Sequence, residues 1–187
     1  MLKKFYPHEY ADSVFSIDYN KLYVLGYKAV IFDIDNTLVH HGEDSTPEID
    51  NLFKEIHNSG LKTLLLSNNN TERIERFLKN IDSHYIADAD KPKSDGYYKA
   101  LEMLKIKKEE AVFVGDQIFT DICGANKVGM ANILVKFLRY ESETKIGKKR
   151  TLEKYILKFY KMRKKYQHRI GDIFNERNCV ENVSKER

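Results

Sequence analysis

Lys28-Ala29-Val30-Ile31-Phe32-Asp33-Ile34-Asp35-Asn36-Thr37-Leu38 is the stretch on which the fold turns. Its first half is an apolar, β-branched and aromatic run without polar alternation, which predicts a strand from Lys28 to Ile34 buried on both faces. Working outward, Leu61 to Leu66 reads as a second buried strand, with shorter ones at His84 to Ala87, Ala111 to Val114 and Asn132 to Val135. Helices are expected between them. Ile49, Leu52, Phe53 and Ile56 recur at i, i+3, i+4 and i+7, as do Ile74, Phe77, Leu78 and Ile81, and then Tyr97, Ala100, Leu101 and Leu104. Thr46-Pro47-Glu48 marks a helix start with a cap, a first-turn proline and an acid, and Asn69 with Glu72 resembles a capping pair. Strands alternating with helices imply parallel pairing through right-handed crossovers. The fold class is therefore α/β, a doubly wound, Rossmann-like three-layer sandwich around a mostly parallel five-stranded sheet.

The 187 residues suffice for one core with an appendage, which excludes a disulfide miniprotein and a wholly disordered chain. No run of about 18 apolar residues occurs, and the first residues lack the apolar stretch of a signal peptide. Cys123 and Cys179 cannot form a disulfide framework or a four-thiolate zinc site. A cytoplasmic, reduced setting is the expectation. The net charge of +4 conceals a split: residues 1–138 carry 17 Lys/Arg against 21 Asp/Glu, and residues 139–187 carry 15 against 7. A basic tail on an acidic body suggests contact with an anionic lipid surface or nucleic acid, against the plainer reading of a solvated helix face.

In a doubly wound sheet, ligands gather outside the carboxyl ends of the strands. The first strand brings Asp33 and Asp35 to one side, roughly 6–7 Å apart along the chain. Two such acids stay ionised together most easily beside a hard cation such as Mg²⁺; the plainer reading is an Asp/Asn-rich turn. The second strand ends in Ser67-Asn68-Asn69, a hydroxyl and a helix-start amide able to hold an anion. After the third comes Lys91-Pro92-Lys93, whose lysine can balance phosphoryl charge. The fourth leads into Val114-Gly115-Asp116-Gln117-Ile118-Phe119-Thr120-Asp121, which supplies two more acids behind a glycine that permits close approach.

In this order the four motifs resemble those of the haloacid dehalogenase (HAD) superfamily of phosphotransferases. The finer pattern, Asp-x-Asp-Asn-Thr-Leu, Ser-Asn-Asn, Lys-Pro and Gly-Asp-Gln-x-x-Thr-Asp, resembles subfamily IIIA enzymes related to phosphatidylglycerophosphate phosphatases. The resemblance implies a phosphatase domain over residues 1–138, with residues 139–187 a basic helical extension. It implies that Asp33 is the nucleophile forming an aspartyl phosphate and that Asp35 is the acid and then the base. It further implies Mg²⁺ on Asp33, the Asp35 carbonyl and Asp116, with Asp121 orienting metal-bound water or the lysine. Ser67 and the Asn68 amide would take phosphoryl oxygens and Lys91 would balance charge, with Lys93 as its rival. Thr37 is a further candidate beside the substrate, though it and Asn36 serve more naturally to fix the loop. His40-His41-Gly42 lies over the expected mouth and reads as either a headgroup contact or a solvated loop.

HAD enzymes for small metabolites often carry a cap domain between the first and second motifs or the second and third. Here the spacing from Thr37 to Ser67 and from Ser67 to Lys91 leaves no room for one. An open site suits a substrate that brings its own surface: a lipid headgroup, a macromolecule, or a small molecule covered by a neighbouring subunit. Phosphatidylglycerophosphate at the inner membrane face is the candidate that the resemblance suggests; nucleotide, sugar and protein phosphates are alternatives. In the tail, Leu152, Tyr155, Ile156 and Phe159 fall at helical spacing among Lys154, Lys158, Lys161, Arg163, Lys164 and Lys165. Such a basic amphipathic helix can lie on an anionic membrane, bind RNA, or pack Leu152, Ile156 and Phe159 on the domain. A non-catalytic RNA- or ribosome-binding module is the reading from another class, and the complete acid–hydroxyl–lysine set argues against it. The residues after Arg169 read as weakly structured.

Overall fold

The computed structural model describes residues 2–138, 140 and 147–175. Six parallel strands, β1 (Glu9–Ala11), β2 (Ala29–Phe32), β3 (Lys62–Leu66), β4 (His84–Ile86), β5 (Ala111–Gly115) and β6 (Ala131–Val135), form one sheet in the order β1-β6-β5-β2-β3-β4. The doubly wound class holds, with one strand more than the five expected. The additional strand, β1, pairs with β6 at the sheet edge, Tyr10 opposite Leu134. Its three residues offer no periodicity to read, and its Glu9 argues against a buried strand.

Both faces of the central strands are covered, which is why their sequences do not alternate with polar residues. Val30, Phe32, Leu65, Val112 and Val114 point to one layer, with α1 (Tyr19–Val24), α2 (Pro47–Asn58) and α3 (Thr71–Phe77). Ala29, Ile31, Leu64, Leu66 and Phe113 point to the other, with α4 (Asp95–Leu104) and α5 (Cys123–Val128). In α2 and α4 the buried residues are the predicted stripes. The Thr46 hydroxyl accepts the Ile49 N–H at 3.3 Å and Pro47 opens the first turn of α2, as its sequence indicates. The cap of α3 is Asn70, one residue beyond Asn69, its side chain accepting the Arg73 N–H at 3.0 Å. That shift leaves the Asn69 side chain free for the site.

A third apolar cluster joins the tail to the domain: Ile156 and Tyr160 of α6 (Lys148–Lys161) pack with Tyr6, Ile118, Ile122 and Leu134. The buried row of α6 is Glu153, Ile156 and Tyr160. Leu152 and Phe159, which a packing helix was expected to bury, are about half exposed with Tyr155 and Met162. Residues 170–175 pack on the domain, against the expectation of weak structure after Arg169: Ile170 and Ile173 are buried, the Ile170 N–H donates to Glu9 at 3.0 Å, and Ile17 bridges Phe174; the rest of that expectation, on 176–187, lies outside the described residues. Among the described residues, no helix is long and apolar enough to cross a membrane.

Candidate active site

The strand order reverses between β2 and β5, and the chemistry-bearing residues lie at the carboxyl ends of these strands and of their neighbour β3. Phe32 is level with Val114, and the Asp33 N–H donates to the Val114 carbonyl at 2.9 Å, so Asp33 emerges beside Gly115 and Asp116. A Cβ on Gly115 would lie 2.6 Å from the Asp121 carboxylate, so only glycine lets the two segments approach this closely. Lys91, on the loop after β4, reaches across to Asp33 Oδ1 at 2.5 Å and to Asp121 Oδ1 at 2.9 Å. Its side chain is 2% exposed. Lys93 instead pairs with Asp90 on the surface. Of the two lysines, Lys91 lies among the acids of the cleft and Lys93 does not.

The Thr37 hydroxyl, buried, lies 3.0 Å from Asp33 Oδ2 and 3.3 Å from Asp116 Oδ1, so it links the two acids, and Thr37 is not among the residues that line the cleft. Ser67 is buried, with its Oγ accepting from the Asn69 backbone and side chain at 3.1 and 3.0 Å. The side chain of Asn68 latches the lysine loop, accepting the Lys91 N–H at 2.7 Å and donating to its carbonyl at 3.3 Å. A cleft of about 170 Å³ opens between Asp33, Asp35, Ser67, Asn68, Lys91 and Asp121, with His41 and Gln117 at its edge. At about 30 Å³ of liquid per water, that is room for about five or six waters, enough to admit a phosphoryl group.

Asp35 faces different company. It accepts the Gly42 N–H at 2.9 Å, the Asn69 side-chain amide at 2.5 Å and an Arg73 Nη2–H at 2.9 Å. Burial works upward on its carboxyl; the amides of Gly42 and Asn69 and the Arg73 guanidinium outweigh it and hold Asp35 below the usual carboxylate range. Arg73 also donates to the Glu43 carbonyl at 2.6 Å, tying α3 to the loop over the mouth. In that loop His40 stacks on Tyr140 and His41 Nδ1 lies 3.6 Å from Asp35, so neither histidine forms a metal pair.

Asp33, Asp116 and Asp121 are buried, and each turns a carboxylate oxygen to within 4.8 Å of the others. Burial raises the Asp33 carboxyl to about 6, with Lys91 opposing and Asp121 adding to the rise. Asp116 is pushed well up by burial and by Asp33, against the pull of Arg150. Lys91 runs the other way: burial would lower it, and the Asp121 and Asp33 carboxylates raise it, keeping it charged. Three carboxylates facing two cations leave a deficit of positive charge among hard oxygen donors, which fits a divalent ion of the Mg²⁺ type.

Sequence reasoning missed Arg73 on Asp35, Asn69 as the link from Asp35 to Ser67, and Arg150 with Glu153 beside Asp116. For Arg73 a signal existed: a charged residue on the buried row of α3 four positions after the second motif. Arg150 gave none, being a single basic residue among many.

The haloacid dehalogenase-like hydrolase family model matches residues 42–129. The protein named "Probable phosphatase YqeG" of Bacillus subtilis (strain 168) is 37% identical over 137 residues, covering 72% of this chain and 80% of the relative. The chain belongs to the haloacid dehalogenase-like hydrolases. As a member of that family it is an enzyme, a phosphatase. A glyceraldehyde 3-phosphate phosphatase of Pyrococcus furiosus shares 42% identity over 50 residues, only 27% of this chain and 21% of the relative. The HAD-like fold is matched by the crystal structure of an uncharacterized protein from Listeria monocytogenes serotype 4b, with a TM-score of 0.51 and 20% identity, covering 73% of this chain and 99% of that one.

Proposed function

We propose that this HAD-family phosphatase hydrolyses a phosphate monoester with Mg²⁺ through an aspartyl phosphate on Asp33, and that its substrate is carried by a lipid. The observation behind the chemistry is the convergence of Asp33, Lys91, Asp116 and Asp121 from three loops in hydrogen-bonding or ligand distance of one another. An Asp33 oxygen attacks phosphorus in line, the P–O ester bond breaks, and the leaving alkoxide takes a proton from Asp35. Water then gives its proton to Asp35 and attacks the acyl phosphate, releasing inorganic phosphate and restoring Asp33. The contacts from Gly42, Asn69 and Arg73 keep the resting Asp35 ionised, which suits its part as base; proton uptake must precede its part as acid. Ser67 and the Asn68 N–H face the transferring oxygens, and Lys91 balances charge on the nucleophile and the intermediate. Asp33, the Asp35 carbonyl and Asp116 would hold Mg²⁺, with Asp121 orienting Lys91 or metal-bound water. When bound, the ion offsets repulsion between the carboxylate and a phosphate dianion.

Two features favour a lipid. Only the loop from Leu38, α2 and β3 separate Thr37 from Ser67, and only α3 with β4 separate Ser67 from Lys91, so no cap domain is inserted in either place. Leu152, Tyr155, Phe159 and Met162 form an exposed apolar row on a helix that also carries Lys148, Lys149, Lys154, Lys158 and Lys161. A helix of that make-up suits an anionic bilayer surface better than RNA: unpaired bases can stack on Tyr155 and Phe159, but only acyl chains would also take Leu152 and Met162 out of water. The resemblance to subfamily IIIA points to phosphatidylglycerophosphate. The test is Mg²⁺-dependent phosphate release from that lipid in mixed micelles and from an aryl phosphate, for wild type and Asp33→Asn. Preference for the lipid, lost in the variant, is expected. Release from the aryl phosphate alone would keep the chemistry and remove the lipid.

A further inference from the structure

One guanidinium reaches the acid cluster from outside the motif loops. Arg150, in the first turn of α6, pairs through Nη2 with Asp116 Oδ2 and donates from Nη1 to the Asp116 backbone carbonyl at 2.8 Å. Nη1 also meets Glu153 Oε2 at 3.1 Å, and Glu153 Oε1 accepts the Phe119 N–H at 3.1 Å. The Phe137 ring lies 4.8 Å from the guanidinium carbon. The helix thus grips the segment between Asp116 and Asp121 at two points. Asp116 is fully enclosed at the side chain, and its two oxygens are divided: Oδ1 lies 3.3 Å from the Thr37 hydroxyl, and Oδ2 is taken by Arg150.

We infer that Arg150, braced by Glu153, is a positioning residue that holds Asp116 with one oxygen turned to the divalent cation, so that the C-terminal helix completes the metal centre. The inference rests on the metal reading given under the proposed function. Three arguments support it. A carboxylate fixed at one oxygen and at its own carbonyl cannot rotate, so it meets the ion already oriented. A cation at 18% exposure beside a buried acid relieves the repulsion that three clustered carboxylates would otherwise suffer. With Mg²⁺, Lys91 and Arg150 against Asp33, Asp116, Asp121 and the bracing Glu153, the formal charges of the centre cancel, so an incoming phosphate dianion meets no net negative charge. The contrary possibility, that the arginine competes with the ion for Asp116, predicts the opposite sign in the same measurement.

The test uses the full chain and Mn²⁺ as probe, titrated by the loss of its free-ion electron paramagnetic resonance signal, with thermal melts in the presence and absence of the ion. Arg150→Gln is expected to weaken Mn²⁺ binding about tenfold or more. Arg150→Lys should restore part of the affinity, since an ammonium keeps the charge and loses the fork, and Glu153→Gln should move affinity in the same direction by less. Unchanged or tighter Mn²⁺ binding in Arg150→Gln overturns the inference, as does a melting temperature lowered equally with and without Mn²⁺ beside an unchanged titration. Should Arg150→Gln fail to fold, the lysine and Glu153→Gln variants decide on the same criteria. A wild type that binds no Mn²⁺, or an Asp116→Asn variant that binds it as the wild type does, overturns the metal reading itself and this inference with it.

Discussion

Lys91 is the residue whose environment is most exacting. Its ammonium is enclosed between Asp33 and Asp121, with the Phe113 ring 5.4 Å away, and each carboxylate depends on it for neutralisation. Removing one partner of such a buried set leaves the others charged and unpaired, a cost of about 3–5 kcal/mol. Lys91→Met should therefore lower the urea midpoint markedly without divalent ions, and saturating Mg²⁺ should recover part of the loss by binding the native state. An unchanged midpoint in both conditions would count against the charge balance described. At this scale the sequence was most readable where apolar periodicity stops: Asp33, Ser67, Lys91 and Asp116 each follow a strand, and a polar residue there invites a chemical question. Arg73 and Arg150 escaped because a single arginine within a helix looks solvated. Arg73 at least shared the buried row of its helix, whereas only burial against a carboxylate sets Arg150 apart, and burial is a product of the fold.

Elements show the same division. The stripes of α2 and α4 were readable because one face of each meets the sheet over its whole length. Strand β1 was not, since its glutamate is accommodated by partners about 160 residues away: Ile170 donates to Glu9, and His168 Nδ1 lies 3.2 Å from it. The neighbouring His8 is held by the same strap, its ring 3.3 Å from Arg169. Burial, helped by the Arg169 charge, lowers the His8 imidazole from 6.5 to about 4. In the unfolded chain His8 takes up a proton near pH 6.5, and in the folded chain only near pH 4. The native state therefore binds fewer protons across that interval, and stability falls as pH drops from about 6.5 to 4. Discounted for partial exposure, the loss is about 2 kcal/mol. Asp33 and Asp116, with raised carboxyls, shift stability the other way, so the comparison must be differential. His8→Gln should lose less stability than wild type between pH 7 and pH 4.5 in urea titrations; parallel losses would contradict the assignment.

For the whole molecule, the alternation of strands and helices carried the doubly wound class, while the mode of tail attachment was beyond reach. A helix with two apolar rows presents two candidate faces, and the one that packs is chosen by Glu153, Ile156 and Tyr160 fitting the turn from Ile118 to Ile122. The row left outside gives the molecule a side on which apolar and basic groups are combined. Replacing Leu152, Tyr155 and Phe159 together with serine should abolish sedimentation with phosphatidylglycerol vesicles and leave aryl phosphate turnover within about twofold. Retained sedimentation would assign the row another task.

The pairing of β1 with β6 also orders events in time. When the first strand leaves the ribosome its neighbour is still about 120 residues from being made, and at about 5–20 residues per second that is a wait of roughly 6–24 s. Asp33, Ser67, Lys91 and Asp116 all emerge before the helix bearing Arg150. A nascent chain can thus assemble its acids and lysine around the central strands, while the Arg150 contact to Asp116 arrives only after β6 and the start of α6 have been made.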